Sequence, residues 1–117
     1  MNEAASALGA LAHQGRLSAF RMLVQAGKDG LAAGEIARRL GTPPNTLSAN
    51  LNILSHAGLT ASRRAGRSII YTADYDRMSA LLGFLVEDCC GGSPEICAPL
   101  ALIADRAAAC CAPEERP

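Results

Sequence analysis

The most distinctive chemistry in this 117-residue chain lies in five cysteines, all in its last third. Cys89 and Cys90 are adjacent, and Cys97 follows just beyond a Gly91-Gly92-Ser93-Pro94 turn. One tight turn therefore gathers three thiols. Adjacent Cα atoms sit about 3.8 Å apart across a trans peptide, short of the roughly 4.4–6.8 Å that an unstrained disulfide spans. A reactive thiolate needs a cation or a helix N-terminus beside it. This pair instead ends a predicted helix, at the negative pole, directly after Glu87 and Asp88. Such neighbours favour protonated thiols until a metal or metalloid displaces the protons. The pattern suits a soft ion that takes three sulfur ligands. It describes a ligand site rather than an enzyme, so no catalytic residue or enzymatic cofactor is expected.

A second constellation is basic. Residues 1–71 hold eight Lys/Arg against three acids, a balance of +5, and residues 72–117 hold three Arg against eight acids, a balance of −5. A basic front and an acidic tail suggest a polyanion-binding portion joined to a different function. The length is that of one small domain. With only four aromatics for its core, such a domain is marginal alone, which favours a homodimer. No Lys or Arg precedes an apolar stretch at the start, so no signal peptide is expected. No apolar run approaches about 18 residues, so no membrane partner is expected. An odd, late cluster of cysteines does not resemble a secreted disulfide framework. A reducing cytoplasm is the expected location.

Several short elements must position these groups. Ala4, Leu8, Leu11 and Ala12 predict a helix over 3–13, and Leu17, Phe20, Leu23 and Val24 a second over 15–26. Gly27-Lys28-Asp29-Gly30 is turn chemistry. Ile36, Ala37 and Leu40 face inward from a helix over 33–40 that Gly41 ends. Thr42 can cap the next helix with Pro43 at its first position. That helix runs to about Ala57, with Leu47, Leu51 and Leu54 on its core face and Gly58 closing it. A helix-turn-helix results. Leu59–Arg64 and Arg67–Thr72 flank Ala65-Gly66 as a β-hairpin. Asp74 can cap a long helix through Asp88 whose Met78, Leu81, Leu82, Leu85 and Cys89 share one face, assigned to a dimer interface. A Gly- and Pro-rich loop at 91–99, a short Ala-rich helix within 100–111 and a fraying end complete the chain. The expected domains are a DNA-binding and dimerisation domain over 1–90 and a Cys-containing loop and tail over 91–117.

The expected fold class is mainly α with a small β-hairpin, a winged helix-turn-helix. Its fourth helix should lie in the major groove of double-stranded DNA. With the leucines inward, Asn45, Thr46, Ser48, Ala49, Asn50, Asn52 and His56 fall nearer the outside. Asn can pair with an adenine edge, and Thr or Ala can touch a thymine methyl. The helix has no Lys or Arg, so phosphate attraction falls to Arg63, Arg64 and Arg67 around the hairpin tip. His13 and His56 read as structural or surface residues.

With these motifs in this order, the chain resembles the ArsR/SmtB family of metal-responsive winged-helix repressors. The resemblance is carried by Ala10-Leu11-Ala12-His13 with Arg16-Leu17, by Glu35-Ile36-Ala37, by the stretch Leu47 to Leu59, and by Gly66-Arg67-Ser68-Ile69-Ile70-Tyr71. It covers roughly residues 5–90. It implies a homodimer that sits on an inverted-repeat operator and leaves when its ligand binds. Two departures stand out. Many arsenic-sensing members hold Cys-x-Cys before the turn, where this chain reads Leu31-Ala32-Ala33-Gly34-Glu35. Asn50 stands where a His is common. The chain is similar instead to an arsenite-responsive subgroup with Cys-Cys plus a further Cys after the last dimer helix. That similarity assigns ligand roles to Cys89, Cys90 and Cys97.

Trivalent arsenic and antimony bind three thiolates in a pyramid, their lone pair filling the remaining direction, which makes arsenite or antimonite the expected inducer. Structural zinc prefers four ligands, usually with C-x₂₋₄-C spacing. Zinc or cadmium, with Cys110 or Cys111 as a fourth ligand, stays open as a divalent alternative. Otherwise Cys110-Cys111 reads as incidental thiols of the tail. A redox-sensing repressor of the same fold is the other alternative.

Overall fold

The computed structural model describes residues 2–86 together with Pro99, Leu102, Ile103, Asp105 and Arg106. All five cysteines, residues 91–98 of the expected 91–99 loop and the predicted helix end at 87–88 lie outside the described residues, while Pro99, the last residue of that expected loop, is helical. The chain divides into two compact units, residues 1–84 and 85–117. In the second unit the five described residues beyond 98 are helical and exposed.

The first unit opens with α1 (Asn2–Leu11) and α2 (Gln14–Ala26). His13 caps α2, its Nδ1 accepting the Gly15 N–H at 3.2 Å. Phe20 and Leu23 are buried on α2 as expected, but Leu17 is exposed. A 3₁₀ turn (Gly27–Asp29) leads through Gly30 to a two-residue strand, β1 (Leu31–Ala32), which no sequence pattern announces. Gly30 is required there. At φ +69° a side chain is strained, and a Cβ would run into the Tyr71 carbonyl oxygen and the Thr72 methyl.

α3 (Ala33–Leu40) is followed after a three-residue turn by α4 (Pro44–His56). Gly41 adopts the left-handed conformation, φ +65°. The Thr42 N–H then donates to the Ala37 carbonyl at 3.0 Å and the Gly41 N–H to that of Arg38 at 3.3 Å. This is a Schellman closure. It also corrects the expected cap: Thr42 finishes α3, while Pro43 takes the cap position of α4 and Pro44 its first turn. The Pro44 ring disfavours helical ψ at the residue before it, and Pro43 accordingly holds ψ 142°.

β2 (Thr60–Ala65) and β3 (Ser68–Ala73) form the wing, with strand order β1-β3-β2, antiparallel throughout. Ala65 pairs with Ser68, so the turn is Gly66-Arg67, one residue later than expected. Gly66 supplies the positive φ that a two-residue hairpin favours. α5 (Tyr75–Val86) starts where the Arg77 N–H donates to Asp74 Oδ1 at 3.0 Å, the expected cap. Tyr75 Oη donates to the Leu23 and Val24 carbonyls at 3.3 and 3.0 Å, tying α5 to the end of α2.

Leu23, Ile36, Leu47, Leu51, Leu54 and Leu59 are fully buried at the centre of this unit. Each contributes on the order of 1.5–3 kcal/mol through burial. The face assigned to a dimer seam on α5 is divided. Leu81 is buried and Met78 packs against the same core, whereas Leu82, Phe84, Leu85 and Val86 are exposed. The structure is thus mainly helical with a small antiparallel sheet, a winged helix-turn-helix.

Candidate nucleic-acid interface

Helix α4 is a two-sided element. Leu47, Leu51 and Leu54 lock it onto the core, and Asn45, Thr46, Ser48, Ala49, Asn52 and His56 are exposed. Asn50 is not among the exposed group. It is only 7% exposed, which corrects its expected place on the outer face. The spacing 47, 50, 51, 54 explains this, because it is the i, i+3, i+4, i+7 set that faces a core. A Cβ built on Gly15 would lie 3.2 Å from Asn50 Nδ2, so α2 approaches closely there. Asn50 thereby borders the α2–α4 packing rather than solvent. His56 stays on the surface, its Nδ1 donating to the Asn52 carbonyl at 2.9 Å.

The exposed groups form a polar strip that can donate to and accept from base edges in a major groove. It carries no cation, so α4 alone offers little phosphate attraction. The wing carries the cations. Arg63, Arg64 and Arg67 are all exposed, but they do not share one position. Arg67 occupies the turn, while Arg63 and Arg64 lie opposite Ile70 and Ile69 in the ladder. Successive strand residues point to opposite faces. Arg63 Nη2 donates to the Asp29 carbonyl at 3.3 Å, drawing this side chain back toward the 3₁₀ turn. Arg64 and Arg67 are therefore the wing cations best placed to act alone.

Two arginines outside the expected set lie on α3. Glu35 Oε2 accepts from Arg38 Nη2 at 2.5 Å and from Arg39 Nε at 2.6 Å, and Glu35 Oε1 accepts from Arg38 Nε at 3.2 Å. The hydrogen bond from Arg38, then that from Arg39, lowers the Glu35 pKa from 4.5 to about 2. The same partner raises that of Arg38. The signal for these residues is in the sequence: Glu-x-x-Arg-Arg on a helix places both cations within reach of one carboxylate.

Among the described residues no group of three or more His, Cys, Asp and Glu could hold a metal ion. None of their helices is long and apolar enough to cross a membrane. The candidate ligands Cys89, Cys90 and Cys97 belong to the part outside that description.

A helix-turn-helix domain family, HTH_20, matches residues 11–63. A search of curated protein sequences returned no match. Among solved structures, the chain is similar to the homodimeric winged helix-turn-helix DNA-binding domain of Mb0332 from Mycobacterium bovis, described as a possible ArsR-family transcriptional regulator. Identity is 32%, coverage 74% of this chain and 81% of that one, and the TM-score 0.59. An ArsR-like transcriptional regulator from Rhodococcus sp. RHA1 aligns over 91% of this chain and 93% of its own, at 27% identity and a TM-score of 0.65. NolR from Sinorhizobium fredii is 31% identical over 74% of this chain and 83% of its own, with a TM-score of 0.59. With the helix-turn-helix, the wing and these similarities together, the chain belongs to the ArsR family of winged helix-turn-helix transcriptional regulators.

Proposed function

We propose that this protein is a homodimeric, cytoplasmic repressor that binds an inverted-repeat operator and releases it when arsenite or antimonite is bound by Cys89, Cys90 and Cys97. The observation that carries the DNA half is the pairing of a firmly seated α4, exposing Asn45, Thr46, Ser48, Ala49 and Asn52, with the exposed wing cations Arg64 and Arg67. Base-edge contacts from the helix would set sequence preference, and phosphate contacts from the wing would set register and affinity. Arg63 contributes from the body of the wing.

Dimerisation is supported by α5. Leu82, Phe84, Leu85 and Val86 expose a run of large apolar side chains that the described residues leave uncovered. Beside it lies a cleft of about 140 Å³ between α1 and α5, lined by Glu3, Ala4, Ala7, Arg77, Ala80, Leu81 and Phe84. The Mb0332 domain is itself homodimeric. Two copies joined here would present two α4 helices to successive major grooves, about one DNA turn apart.

The inducer half rests on donor chemistry. Three soft thiolates within one short segment match the pyramidal, three-sulfur preference of trivalent arsenic and antimony, and soft ligands are selected by such ions. Joining Cys97 to Cys89 and Cys90 would reorganise the segment just after α5 and alter the spacing of the two α4 helices. A coupling of about 1–3 kcal/mol would lower operator affinity about 5–150-fold.

A thiol-redox signal on the same fold is the second reading. A structure of HlyU from Vibrio cholerae, 28% identical to this chain, is described as reduced. The deciding experiment titrates the reduced protein on its upstream DNA with arsenite, then with peroxide. Arsenite release abolished in Cys97→Ser supports the three-thiol inducer site. Release by peroxide alone transfers the signal to oxidation, and unchanged arsenite release in Cys97→Ser defeats the three-ligand version.

A further inference from the structure

We propose that Arg38 and Arg39 form a second phosphate-binding element on α3, separate from the wing, and that Glu35 acts as its built-in attenuator. The inference rests on the DNA-binding reading above and names groups that it does not include.

The geometry is specific. Arg38 is held side-on through Nε and Nη2, and Arg39 through Nε, all on one carboxylate. A guanidinium carries five N–H donors, so most donors of both arginines are left over from this triad. The side chains of Arg38 and Arg39 are 71% and 48% exposed, against 29% for Glu35. The cations thus face outward and the carboxylate lies beneath them. Two positive charges over one negative leave the cluster with a net +1, its guanidiniums fixed rather than free to rotate.

Position adds to this. Arg38 borders an open groove of about 520 Å³ with Gly34, Ala37, Gly41, Thr42, Pro43 and Pro44, the start of the same α4 that exposes Asn45 and Thr46. In a helix-turn-helix the helix before the turn crosses the DNA backbone while the second enters the groove. Phosphate oxygens accept bidentate guanidinium bonds well. Arg38 at this point, with Arg39 held on the same carboxylate, would take phosphate on its outer edge while keeping the carboxylate on its inner one. Glu35 then has two opposed effects on binding. It holds the fork in place, and its charge repels the same phosphates. Exposed ion pairs contribute little ordering energy, and both arginines are exposed, so the repulsion outweighs the positioning and Glu35 acts as a brake on non-selective affinity.

The test is fluorescence anisotropy of the reduced full-length protein on its upstream duplex, across a salt series. The wild type, Glu35→Gln, Arg38→Ala and Arg39→Ala are compared, and thermal melts confirm folding. Glu35→Gln is expected to bind roughly threefold tighter per subunit, with a steeper salt slope. Arg38→Ala is expected to bind more weakly and to flatten the slope of log affinity against log salt by about 0.9 per subunit. A merely helix-stabilising triad would move the melting temperature and leave both slopes alone, which overturns the proposal. Weaker binding by Glu35→Gln also overturns it. If the wild type binds no DNA, the repressor reading fails and this inference falls with it. If the wild type binds and the α3 variants match it, only this inference falls.

Discussion

Helices α4 and α5 are nearly the same length and both are rich in leucine, yet the fold treats them oppositely. α4 buries Leu47, Leu51 and Leu54 and shows water a mainly polar strip, with Ile53 the one large apolar side chain it exposes. α5 buries Leu81 at 8% exposure, while Leu82, one residue on, is 53% exposed, with Phe84, Leu85 and Val86 also uncovered. One helix is completed within its subunit and is free to present polar groups to something else. The other leaves several large apolar side chains uncovered. Under the proposed function, the contrast would separate a side that reads DNA from a side that joins two subunits.

The largest effect should come from truncating the completed helix. Leu54→Ala is expected to lower unfolding stability by about 2–5 kcal/mol in urea titrations, whereas Leu82→Ala should stay within about 0.5 kcal/mol at concentrations where the protein is monomeric. Equal destabilisation at both sites would erase the contrast. Next in size, Gly30→Ala should cost about 1–3 kcal/mol, because the added methyl meets the Tyr71 carbonyl at a position of φ +69°. An unchanged melting temperature would show that β1 and β3 separate easily.

Leu82→Glu tests the joining side directly. It should raise the dimer dissociation constant at least tenfold, about 1.4 kcal/mol, by sedimentation equilibrium, with helical circular dichroism preserved. A variant as dimeric as the wild type would move the interface elsewhere. On the reading side, Arg64→Ala and Arg67→Ala should each flatten the salt dependence of operator binding by about 0.9 for every phosphate left without its guanidinium. Arg63→Ala should do less, since its guanidinium leans back on the Asp29 carbonyl.

The smallest effect concerns acid. Glu35 has its pKa lowered from 4.5 to about 2 by Arg38 and Arg39. Its folded form therefore binds fewer protons than the unfolded chain between these values. The contribution is complete above about pH 4.5 and fades as pH falls toward 2. Being at the surface, it is screened and small. Urea titrations at pH 5 and pH 3 should show a slightly shallower acid destabilisation in Glu35→Gln, and the difference should shrink in high salt.

The parts of this fold that are legible in the sequence are those written in local patterns. α3 and the body of α4 follow from leucines and isoleucine at helical spacing with Gly41 and Gly58 just past their ends. β1 is not legible. Two residues cannot show an alternation, and the strand exists only because Leu31 and Ala32 meet Tyr71 and Ile70 in a distant part of the chain. Polarity alone puts Asn50 outside, against its own spacing with Leu47, Leu51 and Leu54, and the spacing wins. On α5 the periodicity marks an apolar helix but cannot divide it, because which leucines the core takes depends on the approach of the other helices. Arg38 and Arg39 are visible as charges, whereas their shared carboxylate becomes meaningful only beside the turn into α4. The exposed places of Asn45, Thr46, Ser48, Ala49 and Asn52 follow directly from the leucine pattern.

Whether α4 and the wing form a DNA interface presented by a dimer is decided most directly by fluorescence anisotropy of the reduced protein on its own upstream duplex, repeated over increasing salt. Saturable binding of one dimer per site is expected, with a steep fall of affinity as salt rises. That slope should flatten by about 1.8 per subunit in the Arg64→Ala, Arg67→Ala double variant. Binding that ignores salt, or a double variant indistinguishable from the wild type, would rule this interface out.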